Sequence, residues 1–167
     1  IIYGEHGNDV IDGGEGNNFI DSGSGNDTID SGAGNDNISS GDGKDTITAG
    51  DGNNTIDSGG DNDTINSGVG DDSITAGDGD DTVNSGRGND TIRAGDGKDT
   101  VKAGGGDDTI EGGLGDDILY GEGDNDTIKG DEGDDILYGG EGVDVMHGGS
   151  GADKIYAEGG LSSTIYG

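Results

Sequence analysis

The sequence predicts an all-β solenoid in which two nonapeptides make one eighteen-residue coil and successive copies alternate between two facing parallel sheets. Three observations lead there. Aliphatic residues stand nine apart without a slip, from Ile2, Ile11, Ile20 and Ile29 through to Leu137, Met146 and Ile155. An acid lies two residues before nearly every one of them, as in Asp27-Thr28-Ile29. A glycine turn precedes that acid, as in Gly23-Ser24-Gly25-Asn26-Asp27. A fixed period along a chain marks stacked units, each of which buries its apolar face only against its neighbours.

The unit reads Gly/Ser/Ala-Gly-x-Gly-x-Asp-x-aliphatic-x, with Ser22 to Asp30 and Ser85 to Arg93 as representative copies. Its last three positions alternate polar, apolar, polar, which is the pattern of a strand with the aliphatic turned inward. Threonine is common just before the aliphatic (Thr28, Thr46, Thr64, Thr82, Thr91, Thr100, Thr109) and favours strands. The first six positions are turn residues, where glycine reaches positive φ without steric cost. Asp61 and Asp124 replace the second turn glycine, and aspartate tolerates left-handed geometry better than most residues. A three-residue strand forms no sheet alone, so copies must stack. Residues eighteen apart then lie about 4.8 Å from one another. No linker, second domain or helical period interrupts the array. It is read as one unit over residues 1–167, regular over about 4–156 and irregular over 157–167, and as an excerpt of a longer repeat protein. In the last copy the phase slips by one residue, and Ser162 or Ser163 takes the acid's place.

Composition sets the energetic problem. Only 25% of residues are hydrophobic, 42 are glycine and the formal net charge is -31. Chains with so little apolar surface and so much charge ordinarily stay disordered, because burial does not offset the entropy of ordering. Folding therefore calls for something outside the chain. There is no cysteine, hence neither a disulfide framework nor a thiolate metal site. No apolar run is long enough to cross a bilayer, so membrane insertion is not expected. Seven basic residues against 38 acids leave no footprint for nucleic acid.

Stacking at eighteen sorts the acids into two columns. The first holds Asp9, Asp27, Asp45, Asp63, Asp81, Asp99, Asp117, Asp135 and Asp153. The second holds Asn18, Asp36, Asn54, Asp72, Asp90, Asp108, Asp126 and Asp144. Carboxylates about 5 Å apart repel by roughly 3 kcal/mol per neighbouring pair at an effective dielectric of 20. A divalent cation between rungs converts that repulsion into attraction. The turns offer only oxygens, a donor set that suits calcium over zinc or copper, while magnesium resists losing its waters. Eight gaps in one column and seven in the other give about fifteen sites, or about +30 against the formal -31. Gaps that use Asn18 or Asn54 keep one carboxylate and are expected to bind more weakly.

This unit resembles the glycine- and aspartate-rich nonapeptide of the repeats-in-toxin, or hemolysin-type calcium-binding, family from Gly4 to about Tyr156. The resemblance implies a right-handed parallel β-roll with Ca2+ between successive turns. It also implies a ligand set: carbonyls at positions two and four plus the aspartate of one turn, with carbonyls at positions one and three plus the aspartate of the turn eighteen residues on. One site is then Gly23, Gly25 and Asp27 with Ser40, Asp42 and Asp45. The next in that column is Gly41, Gly43 and Asp45 with Ser58, Gly60 and Asp63. Departures from the pattern are Asn18 and Asn54 at the acid and Glu5, Glu122, Asp131 and Glu158 at position two. The family implies a secreted or cell-surface bacterial protein, exported by type I secretion and folding in external calcium as a stalk, spacer, filament or surface-layer segment. An accessory roll of a secreted toxin or enzyme is the alternative the same resemblance allows.

Other features carry less. His6 and His147 have no patterned partner, and no nucleophile–base pair is visible, so no catalysis is expected. Thr28, Thr46, Thr64, Thr82 and Thr100 form a column whose arrangement is that of an ice-binding face, although Asp30, Asn84 and Lys102 interrupt the neighbouring column. Ile118, Ile136, Tyr120, Tyr138 and Tyr156 make an apolar patch on the same face, a candidate packing surface for a neighbouring module or subunit.

Overall fold

The computed structural model describes residues 1–157 and 163–166; Glu158 and Ser162 lie outside the described residues. The described residues form a β-solenoid without helix. Its strands run from β1 (Ile2–Tyr3) to β19 (Thr164–Tyr166) and alternate between a ten-stranded and a nine-stranded sheet. The ten-stranded sheet takes every second strand from β1. The nine-stranded sheet runs from β2 (Val10–Asp12) to β18 (Lys154–Tyr156). Every pairing is parallel, and the register is the eighteen-residue offset: Ile2 lies beside Ile20, Ile29 beside Ile47, Val83 beside Val101. The last pairing alone is offset by nineteen, Val145 beside Thr164, where the phase slip falls.

Strand geometry turns alternate residues to opposite faces, so each copy sends one aliphatic into the space between the sheets. Ile20, Ile47, Ile65, Ile92, Ile110, Leu119, Ile128, Leu137 and Met146 are fully buried there. Each such side chain contributes about 1.5–3 kcal/mol of burial. Position one also faces inward: Ala49, Ala76, Ala94 and Ala103 are buried beside the aliphatics. The serines at that position donate to the carbonyl eighteen residues on, as Ser22 Oγ does to Ser40 O at 3.0 Å and Ser58 Oγ to Ala76 O at 2.7 Å. A buried hydroxyl is thereby satisfied within the core.

The turns need glycine for two reasons, both visible at Gly25. Its φ is +126°, and a Cβ built there would stand 2.1 Å from the carbonyl oxygen of Gly7 on the preceding coil. The carbonyls of the turn thus point along the solenoid axis at the next turn. Asp61 and Asp124 take φ of 74° each, the left-handed conformation the sequence calls for at those substitutions. Glu5, Glu122 and Asp131 do the same at position two, with φ of 73°, 77° and 72°.

Candidate functional site

Each copy places its aspartate at the end of the turn, immediately before the strand residue that pairs with the next coil. The aspartates line up as the two columns expected. They are buried as deeply as the isoleucines: Asp27, Asp45, Asp81, Asp90, Asp99, Asp117, Asp126, Asp135 and Asp144 are at most 1% exposed. A buried carboxylate needs partners for both oxygens. Oδ1 has one. It accepts the backbone N–H of the aspartate eighteen residues earlier, as Asp45 Oδ1 does from Asp27 at 2.7 Å and Asp99 Oδ1 from Asp81 at 2.8 Å. The second column is built the same way, with Asp90 Oδ1 accepting from Asp72 at 2.8 Å. The column ends where Ser163 Oγ accepts the N–H of Asp144 at 3.2 Å, so Ser163 is the residue that stands in the acid's place.

Oδ2 has no such partner. Among the described residues it is buried without a hydrogen bond in Asp9, Asp27, Asp36, Asp45, Asp63, Asp72, Asp81, Asp90, Asp99, Asp108, Asp117, Asp126, Asp135 and Asp144. What surrounds it is oxygen. A Cβ built on Gly112 would lie 2.4 Å from Asp117 Oδ2 and 2.7 Å from the Gly130 carbonyl, so those two oxygens flank one small space. The same holds at Gly121 for Asp126 Oδ2 and the Gly139 carbonyl, at 2.2 and 2.7 Å.

Asn54 shows which other carbonyls face that space. Its Nδ2 donates to the carbonyls of Gly50, Gly52 and Ser67 at 3.2, 3.0 and 3.3 Å. Those are positions two and four of its own turn and position one of the turn eighteen residues on. The equivalent carbonyls around Asp27 belong to Gly23, Gly25 and Ser40. A cradle of this kind accepts a cation and has nothing to offer an anion. One carboxylate Oδ2 and three carbonyls put four oxygens around each such gap, and oxygen is the donor type calcium takes. No group of three or more His, Cys, Asp or Glu side chains arranged around a metal occurs among the described residues.

Burial without a cation distorts the acidities. Removal from water raises Asp81, Asp108, Asp117 and Asp126 from 3.8 to about 7, against the lowering effect of the backbone N–H each accepts, while neighbouring rungs of the column push further up. Asp63 and Asp99 rise to about 6 for the same leading reason. Asp45, Asp72, Asp90 and Asp135 are raised too, burial again leading. Groups that resist ionisation at neutral pH in the bare coil are groups with a strong demand for a counter-ion.

The comparison with protein families matches the RTX calcium-binding nonapeptide repeat, in four-copy windows at residues 3–38, 30–65, 39–74, 57–92, 93–128 and 120–155. The chain belongs to this family. It is a calcium-binding RTX repeat array folded as a β-roll, and Ca2+ is the ion the family implies. No curated protein matches it. No helix of the described residues is long and apolar enough to cross a membrane.

Sequence reasoning on the RTX unit passed over position five. Asn26 N–H donates to Asn8 Oδ1 at 2.9 Å, Asn89 to Asp71 Oδ1 at 2.8 Å and Asn125 to Asp107 Oδ1 at 2.9 Å. These exposed Asx side chains form a second pair of ladders outside the carboxylate columns. They run in the opposite sense, since the earlier residue supplies the acceptor. The signal was in the sequence, where Asn or Asp recurs at position five in most copies.

The remaining candidates are surface features. His6 Nδ1 and Ser24 Oγ lie 2.8 Å apart on an exposed turn, a pair formed only by coil stacking. His147 stacks on Tyr166 with centroids 4.3 Å apart. The threonine column is in register, with Thr28, Thr46, Thr64, Thr82 and Thr100 side by side across five strands. Tyr120, Tyr138 and Tyr156 stack at 4.7 and 4.9 Å with nearly parallel rings, and Lys102 lies 5.9 Å from the centroid of Tyr120.

Proposed function

We propose that the gaps between successive turns that begin at an aspartate are calcium sites, and that filling them drives folding. The aspartate Oδ2 atoms carry the reading: burying so many carboxylate oxygens with no donor is costly at neutral pH, and a cation among them removes that cost. In one gap Gly23, Gly25 and Asp27 would act with Ser40, Asp42 and Asp45. In the next, Gly41, Gly43 and Asp45 would act with Ser58, Gly60 and Asp63. The ion supplies positive charge that the chain lacks, since only seven basic residues face 38 acids. The chain's own part is to hold Oδ1 on the backbone of the preceding coil, which leaves Oδ2 aimed into the gap.

Such a chain stays unfolded where calcium is scarce and folds where it is plentiful. We read it as a scaffold segment of a secreted or cell-surface protein, a stalk or spacer without chemistry of its own. The family membership and the orphaned, buried carboxylate oxygens support that reading. The tyrosine column, beside Ile118 and Ile136, is the face on which a neighbouring roll would pack; Tyr156 is 42% exposed there. Far-ultraviolet circular dichroism during a calcium titration tests the switch. The chain should lack β structure in excess chelator and gain it cooperatively with added calcium. A chain that keeps its full β signal in chelator contradicts the proposal.

A further inference from the structure

We propose that Asn18 and Asn54 are built-in replacements for calcium, so that two gaps of the second column take no ion. The assignment rests on the calcium reading above. The sequence alone makes these positions weak sites that have lost one carboxylate. The structure shows what the amide puts there instead. Asn54 is 1% exposed, and its Nδ2 is bound to the carbonyls of Gly50, Gly52 and Ser67. Asn18 repeats the arrangement: Nδ2 donates to Gly14, Gly16 and Ser31 at 3.2, 2.9 and 3.1 Å. The orientation of the Asn54 amide is fixed by its other end, where Oδ1 accepts the N–H of Asp36 at 3.0 Å. The oxygen therefore fills the role that Oδ1 fills in every aspartate of the column, and the nitrogen stands where Oδ2 otherwise does. A donor there satisfies the carbonyls directly. A cation in the same gap would meet N–H hydrogens pointing towards it.

The gap that follows Asp36 is different. It keeps the orphaned Asp36 Oδ2 and the neutral oxygen of Asn54, so it remains a cation site with one carboxylate. Eight gaps of the first column and five of the seven in the second then hold calcium, thirteen in all. Each begins at one of the aspartates whose Oδ2 is orphaned, with Asp144, which adjoins the irregular last turn, set aside. A neutral amide does in its gap what calcium does in the neighbouring gaps, and it does so at any calcium concentration.

Two measurements decide it. Native mass spectrometry in saturating calcium should count two more ions on the Asn18→Asp/Asn54→Asp double variant than on the wild type. Equal, non-zero counts overturn the amide assignment and leave the calcium reading standing; a wild type that takes up no calcium overturns both. On the wild type alone, the Asn54 side-chain NH2 protons should exchange slowly with solvent in the calcium-loaded protein, as buried, fully bonded amides do. Exchange at the rate of a surface asparagine overturns the assignment without any variant.

Discussion

At the scale of the residue, the repeated aspartate does two jobs with two oxygens, and substitutions separate them. Asp99 accepts the buried N–H of Asp81 through Oδ1 and turns an unpartnered Oδ2 into its own gap. Asp99→Ala removes both functions and leaves a buried donor unsatisfied, at a cost of about 1–3 kcal/mol beyond the lost ion. Asp99→Asn keeps the acceptor and supplies an amide to the carbonyls, as Asn54 does in the other column. In saturating calcium, denaturant unfolding should therefore find the asparagine variant more stable than the alanine variant by about 1–3 kcal/mol. Equal stabilities would show that the Oδ1 contact contributes nothing.

At the scale of the element, turn and strand make different demands on the same residue type. Gly106 has φ of +129°, and a Cβ there would lie 2.1 Å from the Gly88 carbonyl. Gly105, its neighbour, has open space around the same atom and no positive φ. Gly106→Ala is expected to cost about 1–3 kcal/mol from backbone strain, and more where the carbonyl must move. Gly105→Ala should stay within about 0.5 kcal/mol of wild type or gain slightly by restricting the unfolded chain. Thermal unfolding of the two variants in calcium distinguishes them, and equal losses would contradict the axial pointing of the turn carbonyls.

The strands were the legible part. The nine-residue spacing of Ile29, Ile38 and Ile47 named the core, and the offset of eighteen named the pairing, because both follow from a period that sequence displays directly. Position-six aspartates were legible as columns for the same reason. What the period did not show was direction. Nothing in Asn26 or Asp71 says that its side chain accepts from the coil ahead, while Asp45 accepts from the coil behind. Nor does composition say that the nitrogen of Asn54, rather than a missing charge, is what matters in its gap. Those facts depend on how far one coil is displaced over the next, which the three-dimensional stack alone fixes. Strand length was also hidden: strands span three residues from β2 through β8 (Thr64–Asn66) but six from β9 (Ser73–Asp78) to β17 (Val145–Ser150), across an unchanged repeat.

At the scale of the whole molecule, the proposed calcium switch makes neutralisation of the columns the condition for folding, and protons are the alternative to calcium. In the metal-free coil Asp81, Asp108, Asp117 and Asp126 titrate at about 7, against 3.8 unfolded. A folded value above the unfolded one means that the folded state binds more protons between the two. Stability from these groups is then fully present below about 3.8 and lost as pH rises through about 7. In chelator, acidification from pH 8 towards 4 should therefore increase β content. With calcium present the same acidification should raise the calcium needed for folding, because protons compete for the same oxygens. Circular dichroism across pH, with and without chelator, reads both trends; a metal-free chain whose β content falls on acidification would contradict the account.

The most direct test of the central claim is a high-resolution crystal structure grown in ample calcium, with anomalous scattering collected to identify the ions. A calcium peak is expected in each gap that begins at an orphaned Oδ2, the one at Asp144 excepted, bounded for example by Asp27, Gly23 and Gly25 on one side and Asp45 and Ser40 on the other. Gaps filled by water alone, with the coils still stacked, would contradict it.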